Sequence, residues 1–304
     1  MGFQIGMAIR RGISFSFFLL ISLFSFGQSK PTLEQFRQQI ETQLAKQPGR
    51  YAVAFKDLTT GQELLIHERE EFHAASTMKT PVMIEVYKQA AQKRFSLSDS
   101  ILIKNEFKSI VDGSPYSLKA TDDSDTLIYT KVGTKLPLSA VLYDMIILSS
   151  NLATNLIIDL VDAKKVMQTM RDMGIRDMQV RRGVEDTKAF QKGLNNTTTA
   201  YDLMLLFEKI ATGKAVSPEA SQDMIRILLD QRFNSVIPAK LPKTVKVAHK
   251  TGSIASVRHD SGIVFLPDGR KYVLVLLSKE IKSDAAVVES LATVSGMIYQ
   301  YFYQ

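Results

Sequence analysis

The sequence predicts an α+β fold in which both ends of the chain contribute strands to one antiparallel sheet. Three observations indicate this fold. Strand-like segments occur near both termini, helical periodicity dominates the region between them, and an amphipathic helix is predicted at each end. Strands separated by a run of helices are typical of an α+β domain. We therefore expect terminal helices that flank the sheet and an all-helical subdomain inserted between its strands.

The N-terminal elements are a helix followed by two strands. Residues 32–46 repeat apolar side chains at helical spacing. Thr32 and Gln35 have the spacing of a capping box at the start of this helix. Residues 51–55 and 63–67 are rich in strand-forming side chains and enclose a turn, which predicts a β-hairpin.

The C-terminal elements are three strands followed by a helix. Residues 245–249, 262–265 and 272–277 are apolar segments of strand length. Pro267-Asp268-Gly269 supplies the turn between the last two strands. Residues 284–303 then predict a closing helix.

Helices are predicted throughout the middle of the chain. The strongest helical periodicity runs through residues 138–160, and residues 199–206 and 220–229 follow the same pattern. We find no internal repeat and no low-complexity linker in the sequence.

These patterns define the predicted domain organisation. Residues 1–27 are predicted to be a signal peptide, and residues 28–304 are predicted to form one domain. Its α/β part comprises residues 28–75 and 242–304, and its helical part comprises residues 76–241.

The N-terminal leader predicts secretion. Arg10 and Arg11 precede the apolar stretch 13–26, and Ser25-Phe26-Gly27 offers small residues for cleavage. The apolar stretch is short for a membrane span, which needs about 20 residues. Cleavage and a periplasmic or secreted protein are therefore the favoured interpretation, and a retained N-terminal anchor is the alternative.

Composition excludes several classes of function. The chain has 304 residues and no cysteine, so neither disulfides nor lipid attachment to a cysteine is available. The formal charge is +7, which falls to +5 when the two leader arginines are removed (7 − 2 = 5). No basic run with interleaved aromatic residues occurs, so we expect no nucleic-acid partner. Asp122-Asp123-Ser124-Asp125 lacks the glycine and distal glutamate of a calcium loop and predicts a solvated acidic turn.

Ser76-Thr77-Met78-Lys79 is the most informative stretch for chemistry. If the segment is helical, Ser76 and Lys79 share one face, because residues three apart are neighbours on a helix. A serine hydroxyl is a weak nucleophile until a base takes its proton, and a buried lysine with a lowered pKa is such a base. Alone, the pattern is more typical of a serine at a helix start beside a solvated lysine.

Two later segments add polar groups at positions that invite function. Ser149-Ser150-Asn151 interrupts an apolar helical stretch, and buried polar groups are costly without partners. His249-Lys250-Thr251-Gly252-Ser253 follows the start of an apolar strand, where its glycine permits close approach of a ligand. The non-functional alternatives are helix capping for the first segment and an edge strand protected by a lysine for the second.

Taken in order, the three motifs form a known set. S-x-x-K, S-x-N and K-T-G characterise class A β-lactamases and penicillin-binding proteins. The chain resembles this serine β-lactamase and penicillin-binding protein superfamily, closest to its class A-like branch. The resemblance covers nearly the whole mature chain, and the predicted arrangement of strands and helices is also that of the family.

The resemblance implies a role for each motif residue. Ser76 would be acylated, Lys79 would take part in removing its proton, and Ser149 would pass a proton to the departing ring nitrogen. The residues implied in substrate binding are Asn151, Lys250, Thr251 and Ser253. The backbone amides of Ser76 and Ser253 would form the oxyanion hole. Arg258 is a further candidate for carboxylate binding.

The pattern departs from the family where the acyl-enzyme must be hydrolysed. Glu185 is the candidate base for the deacylating water, but its loop is shorter than is typical for the family. Ala189 stands where the family has an asparagine, and Ser150 replaces the usual aspartate of the second motif. The alternative for Glu185 is a surface carboxylate paired with Arg181 or Arg182.

The leading hypothesis is a class A-like β-lactamase that needs no metal or cofactor. A serine hydrolase acting on D-alanyl-D-alanine peptides or esters is the nearest rival, and a slowly deacylating penicillin-binding protein has the same acylation machinery. A sensor that acylates and stalls is a third hypothesis. We expect a small-molecule β-lactam or a cell-wall peptide as substrate, a monomer, and no membrane association after cleavage of the leader.

Overall fold

The computed structural model describes residues 1–4 and 30–303. Residues 5–27 of the predicted signal peptide lie outside the described part of the chain. Of the helices in the described part, none is long and apolar enough to cross a membrane.

The five strands of the central sheet and the two terminal helices occur in the predicted order. The part predicted to be all-helical also contains five short strands, because a few residues of its long connections pair with one another or with residues 72–73. The strands are β1 (Arg50–Asp57), β2 (Glu63–Ile66), β3 (Phe72–His73), β4 (Ser100–Leu102), β5 (Phe107–Lys108), β6 (Pro115–Tyr116), β7 (Lys135–Pro137), β8 (Thr197–Thr198), β9 (Lys246–Ile254), β10 (Val257–Phe265) and β11 (Lys271–Lys279). The α-helices are α1 (Leu33–Leu44), α2 (Lys79–Ala91), α3 (Leu138–Ile147), α4 (Asn151–Val161), α5 (Ala163–Asp172), α6 (Thr187–Gln191), α7 (Ala200–Ala211), α8 (Pro218–Leu229) and α9 (Asp284–Tyr303). Short 3₁₀ helices occur at Ala75–Met78, Ala120–Asp122, Leu127–Lys131 and Pro238–Lys240.

Both chain ends build the central sheet, as predicted. Its five strands lie in the order β2-β1-β11-β10-β9, and every neighbouring pair is antiparallel. The α+β fold class is therefore confirmed. The strand β9, which carries Lys250 and Thr251, lies at one edge of the sheet.

Alternate side chains of the sheet belong to two separate hydrophobic cores. In β1, Tyr51, Val53 and Phe55 pack with the terminal helices α1 and α9, whereas Ala52 and Ala54 face the helical part of the chain. The period of two along a strand places successive side chains on opposite faces. The sheet is thus the middle layer between the terminal helices and the inserted subdomain.

The N-terminal helix begins as the sequence predicts. The Thr32 hydroxyl accepts a hydrogen bond from the Gln35 amide, and the Gln35 side chain accepts from the Thr32 amide. This capping box satisfies two backbone donors that have no partner within the helix.

The predicted helical stretch 138–160 is two helices. The helix α3 ends at Ile147 and α4 begins at Asn151, because Ser149 has a left-handed backbone with φ = 59°. Ser150 caps α4, its hydroxyl accepting a hydrogen bond from the Ala153 amide. Helical periodicity continues through the break because apolar residues flank it on both sides. The break places Ser149 in a turn.

The terminal-helix core allows a direct test of its contribution to stability. Leu291 of α9 is fully buried against the sheet. We expect Leu291→Ala to lower the free energy of unfolding by about 2–5 kcal/mol, because it removes apolar contacts and leaves a cavity. Urea unfolding measures the change. Gln300→Ala, at an exposed position of the same helix, is the control and should change stability by no more than about 0.5 kcal/mol. An equal effect of the two substitutions would contradict a stabilising role for this core.

Candidate active site

Ser76 lies on a tight turn between β3 and α2. Ala75, just before it, has a left-handed backbone with φ = 45°. The Thr77 hydroxyl donates to the Ala74 carbonyl at 2.6 Å and fixes the start of the turn. Non-glycine residues with this backbone are strained and persist where the surroundings hold them in place. The turn therefore presents Ser76 in a fixed position.

The strand β9 packs directly against this turn. A side-chain carbon placed on Gly252 would lie 3.1 Å from the Thr77 side chain and 3.3 Å from that of Ala75. The glycine predicted to permit close approach thus brings the Lys250-Thr251 segment against the turn that carries Ser76.

The Lys79 side chain is fully buried and points to the turn between α3 and α4. Its amine donates to the Ser149 carbonyl at 2.5 Å, to the Ser149 hydroxyl at 3.1 Å and to Asn151 Oδ1 at 3.0 Å. The hydrogen bonds of these described residues include none between Lys79 Nζ and Ser76 Oγ. The expected stacking of the amine over the hydroxyl is replaced by contacts to the second motif.

Burial lowers the pKa of Lys79 to about 7. Loss of solvent disfavours the charged amine, and the negative charges of Asp123 and Glu185 oppose this effect only in part. Near neutral pH the amine is therefore present in both its charged and its neutral form. The neutral form is a base that can accept a proton.

Ser149 joins two buried lysines. Its hydroxyl accepts hydrogen bonds from Lys79 Nζ and from Lys250 Nζ, each at 3.1 Å. Lys250 is also fully buried, and its pKa lies well below the usual value because of burial and then the nearby Lys79. Since the hydroxyl accepts from both sides, its own proton is free to be donated to a third group.

These groups open onto a cavity of about 850 Å³. Lys79 and Lys250 lie behind its surface, where Ser149 contacts both. The cavity is lined by all six of the remaining predicted site residues: Ser76, Ser149, Asn151, Glu185, Thr251 and Ser253. The structure therefore brings the three sequence motifs and the predicted loop glutamate together at one site.

Glu185 is held by the backbone on both sides of it. Asn155 accepts from the Val184 amide at 2.6 Å and donates to the Val184 carbonyl at 3.0 Å. Asp186 accepts from Ser109 Oγ at 2.9 Å and from the Ile110 amide at 3.0 Å. Between these anchors Glu185 has φ = 62°. A strained backbone fixed from both sides directs this residue to the cavity.

The Glu185 carboxylate itself has no hydrogen-bond or salt-bridge partner among the described residues. The guanidinium of Arg182 instead donates to the Leu194 and Gly183 carbonyls and to Asn195 Oδ1. Glu185 therefore does not form the surface ion pair with Arg181 or Arg182 that was the alternative interpretation. Partial desolvation in the cavity raises the pKa of Glu185, and Asp122 adds to the shift.

Ala189, which stands where the family has an asparagine, is fully buried. Its amide donates to Asp186 Oδ1 at 3.1 Å, within the cap of α6. Its methyl side chain has no hydrogen-bonding group. A water beside Glu185 would thus lack an amide partner at this position.

The acidic segment predicted as a solvated turn is only half solvated, because Asp122 and Ser124 are exposed whereas Asp123 and Asp125 are buried. Asp123 is 8% exposed and Asp125 is 4% exposed. The Asp123 carboxylate accepts hydrogen bonds from the Asn151 and Leu152 amides at the start of α4. The prediction was wrong for Asp123, because nothing local in the sequence shows that a helix N-terminus, 28 residues later, packs on it.

Arg258 lines the same cavity, but its charge is already paired. Its guanidinium forms an ion pair with Asp284 at the start of α9. A substrate carboxylate would share this arginine with Asp284. Lys250 and Thr251 are not engaged by a carboxylate in this way.

No group of three or more histidine, aspartate or glutamate side chains suited to a metal ion occurs within residues 1–4 and 30–303.

The model of the β-lactamase enzyme family matches residues 35–302. The chain belongs to this family. The expectation from the three motifs is thereby confirmed at the level of the class A β-lactamase family.

Three proteins that this chain resembles are distant from it in sequence. The extended-spectrum β-lactamase PER-1 of Pseudomonas aeruginosa is 23% identical over 308 residues, which covers 96% of this chain and 95% of PER-1. The solved structure of PBP-A has a TM-score of 0.76 at 28% identity, covering 90% of this chain and 99% of PBP-A. The TLA-1 extended-spectrum β-lactamase has a TM-score of 0.78 at 18% identity, with 90% and 100% coverage, and so shares the fold.

The site of this family member also contains residues that the sequence interpretation did not assign. Asn155 holds the loop that carries Glu185, and Asp123 contacts the start of α4. His73 lines the cavity, and its Nδ1 accepts from the Ala75 amide at 3.0 Å. Asn155 lies four residues after Asn151, on the same helical face, and this spacing was the one available signal.

His259 of β10 contacts the segment just before the turn that carries Ser76. Because its imidazole is buried, we expect the stability of the protein to depend on pH in the acidic range. His259 Nε2 lies 2.9 Å from the His73 carbonyl, and burial lowers the pKa of His259 to about 4. Between this value and the unfolded pKa of about 6.5, the unfolded chain binds a proton that the folded chain does not. The contribution of His259 to the free energy of unfolding is therefore fully present above about pH 6.5. It is lost as the pH is lowered towards 4, which lowers the free energy of unfolding by about 3 kcal/mol.

Urea unfolding between pH 7 and pH 4.5 measures this loss. His259→Asn should be less stable than the wild type at pH 7, because it loses a buried contact, but its stability should decline less steeply on acidification. A variant with the wild-type slope would show that another group is responsible.

Proposed function

We propose that the protein is a secreted or periplasmic serine hydrolase that opens β-lactam rings through an acyl-enzyme on Ser76. The observation that carries this proposal is the buried Lys79 amine, which is bonded to Ser149 and Asn151 behind the cavity that Ser76 lines. Burial lowers its pKa to about 7, so that its neutral form is available as a base. Its membership of the β-lactamase family supports the substrate class. No metal or cofactor takes part in the proposed reaction.

Acylation follows from the placement of the amines and hydroxyls. Ser76 Oγ attacks the β-lactam carbonyl carbon while its proton passes to the neutral Lys79 amine. The carbonyl oxygen becomes an oxyanion, for which the Ser76 and Ser253 amides are the proposed donors. When the ring C–N bond breaks, the Ser149 hydroxyl gives its proton to the leaving nitrogen and regains one from a neighbouring lysine.

Substrate binding is assigned to the edge strand and to α4. Lys250 and Thr251 lie along β9, where a positive charge and a hydroxyl suit the substrate carboxylate. Asn151 Oδ1 is engaged by Lys79, which leaves its Nδ2 for an acylamido carbonyl of the substrate.

Deacylation requires water activated by Glu185. A raised pKa makes this carboxylate a stronger base than an ordinary surface glutamate. After water attacks the ester carbonyl, its proton passes to Glu185, and the ester bond to Ser76 Oγ breaks with return of a proton to that oxygen.

A second function is favoured by the lack of an asparagine side chain at position 189, where the family has one that helps to hold the deacylating water. Ala189 offers no side-chain group to hold water, so the acyl-enzyme can be long-lived. A slowly deacylating penicillin-binding protein or a D-alanyl-D-alanine peptidase would use the same acylation machinery. The similarity to PBP-A, of which one variant was solved as an acyl-enzyme complex with penicillin G, supports this alternative.

The decisive experiment follows the intact mass of the mature protein with benzylpenicillin over time. A transient adduct with accumulating hydrolysed drug supports the β-lactamase, and a persistent adduct supports the penicillin-binding alternative. Parallel assays with a D-alanyl-D-alanine peptide and an ester test the rival substrates. The absence of any adduct and any turnover of penicillin would refute both functions.

We expect Ser76→Ala to lose labelling and hydrolysis by at least about 10³-fold, because no other group replaces the nucleophile. Mass spectrometry of the digested adduct identifies the modified residue. Ser235→Ala, which removes another serine that lines the cavity, is the matched control and should be labelled like the wild type. An adduct on Ser149 would overturn the assignment.

We expect Glu185→Gln to acylate normally and to accumulate the acyl-enzyme. Loss of a general base slows deacylation by about 10²–10⁴-fold. Rapid-mixing mass spectrometry separates the two rates. Asp122→Asn removes a second acidic side chain from the same cavity and should leave the lifetime of the acyl-enzyme close to that of the wild type. Equal deacylation by wild type and Glu185→Gln would show that water is activated elsewhere.

A further inference from the structure

The second motif of this chain lacks a carboxylate that the wider family carries. The family pattern is S-D-N, whereas this chain has Ser149-Ser150-Asn151. Ser150 is fully buried, and its hydroxyl caps α4 as a neutral group. The start of α4 therefore receives no negative charge from its own motif.

A carboxylate reaches this helix start from another part of the chain. Both Asp123 oxygens accept from the Asn151 amide, at 3.0 and 2.9 Å, and Asp123 Oδ2 also accepts from the Leu152 amide at 3.0 Å. The Tyr129 hydroxyl donates to Oδ2 at 2.9 Å, and the Asp125 amide donates to Oδ1 at 3.1 Å. Asp123 is thus a buried carboxylate with donors on both oxygens.

The segment that carries Asp123 also holds the turn before α4. The Ser124 hydroxyl donates to the Leu148 carbonyl at 2.5 Å. Leu148 precedes Ser149, whose carbonyl and hydroxyl both accept from Lys79. The two neighbours Asp123 and Ser124 therefore fix both ends of the turn that contacts the lysine.

We propose that Asp123 is the positioning residue that holds Asn151 and Ser149 against Lys79 and supplies the buried negative charge that Ser150 does not. The path is short. Asp123 accepts from the Asn151 amide, and the Asn151 side chain accepts from the Lys79 amine at 3.0 Å. A negative charge at a helix N-terminus is favourable, and here it lies beside a buried amine.

The electrostatic part of this role concerns the charge state of Lys79. The charged groups acting on this amine are Asp123 and Glu185, which raise its pKa, while Lys250 is the neighbouring amine bonded to the same hydroxyl. Removing the Asp123 charge should lower the pKa of Lys79 further, because burial would then be opposed by Glu185 alone.

Asp123→Asn separates this role from simple helix capping. The side-chain NH₂ group of an asparagine would replace one of the two Asp123 oxygens and would face N–H and O–H donors. The substitution therefore removes hydrogen bonds as well as the charge. If Asp123 only capped the helix, Asp123→Asn would lower the free energy of unfolding by the same amount at every pH at which a carboxylate is ionised. A charge that compensates Lys79⁺ matters only while Lys79 is protonated.

The first test needs no substrate. We expect the urea midpoint of Asp123→Asn to fall below that of the wild type by about twice as much at pH 5.5 as at pH 8.5. In the variant the folded chain releases its Lys79 proton at lower pH, so its stability rises more steeply with pH and approaches that of the wild type. A difference in midpoint that is the same at both pH values would overturn the proposal.

Glu85→Gln is the matched control. Glu85 is a second buried carboxylate, on the same helix as Lys79, and it is bonded to Thr169 and Gln89. Its substitution should lower the midpoint equally at both pH values.

Returning the carboxylate to the motif gives the rescue. In Asp123→Asn/Ser150→Asp the charge again lies at the start of α4. We expect a pH dependence of stability close to that of the wild type. If Asp123→Asn alone does not fold, a folded double variant with this pH dependence supports the proposal, and a double variant that also fails to fold overturns it.

A second readout rests on the proposed function. The rate of Ser76 acylation by benzylpenicillin should decline at low pH as Lys79 becomes protonated. We expect Asp123→Asn to move this acidic limb down by about one pH unit and the limiting rate to fall about tenfold, since Asn151 is held less firmly. Acylation of the wild type with an unshifted limb in the variant would refute the role of Asp123. A wild type that is never acylated would instead refute the proposed function and leave the stability test intact.

Discussion

The complete burial of the Lys79 amine is the constraint on which the rest of the site depends. An amine removed from water must have its N–H groups accepted by protein oxygens, and Ser149 and Asn151 provide all of them. Those acceptors exist in this position only because α3 stops and α4 starts after a break of three residues. The same burial that demands these partners lowers the pKa of the amine to about 7. The burial of the Lys79 amine thus requires the break between α3 and α4 and also makes the amine available as a base near neutral pH.

Three of the eight non-glycine residues with left-handed backbones in the described part of the chain lie where the motifs meet. Ala75, Ser149 and Glu185 all have left-handed backbones, and each lies beside or within a predicted functional segment. None is a glycine, so each conformation is held by its surroundings: the His73 ring and β9 at the first, the Asp123 segment at the second, and Asn155 with Asp186 at the third. The free energy of the two cores is what maintains these three turns.

The central sheet connects this strain to the rest of the molecule. The edge strand β9 carries Lys250, and the buried His249 beside it contacts Asp260 at 2.8 Å and Asn234 at 3.1 Å. Gly252 lets the same strand pack on the Ser76 turn. Register along the strand therefore sets the separation between Ser76 and Lys250, and a slip by one residue would turn Lys250 to the opposite face.

The sequence by itself determined the fold class, the order of the elements and the three motifs, because hydrophobic period, capping residues and motif spacing are local signals. It predicted the sheet from both chain ends and the capping box at Thr32. Only the tertiary structure decided that 138–160 is broken at Ser149, that Asp123 is buried, and that the Glu185 carboxylate has no partner among the described residues. These features depend on which segments, distant along the chain, exclude water from one another, and local periodicity does not record such contacts.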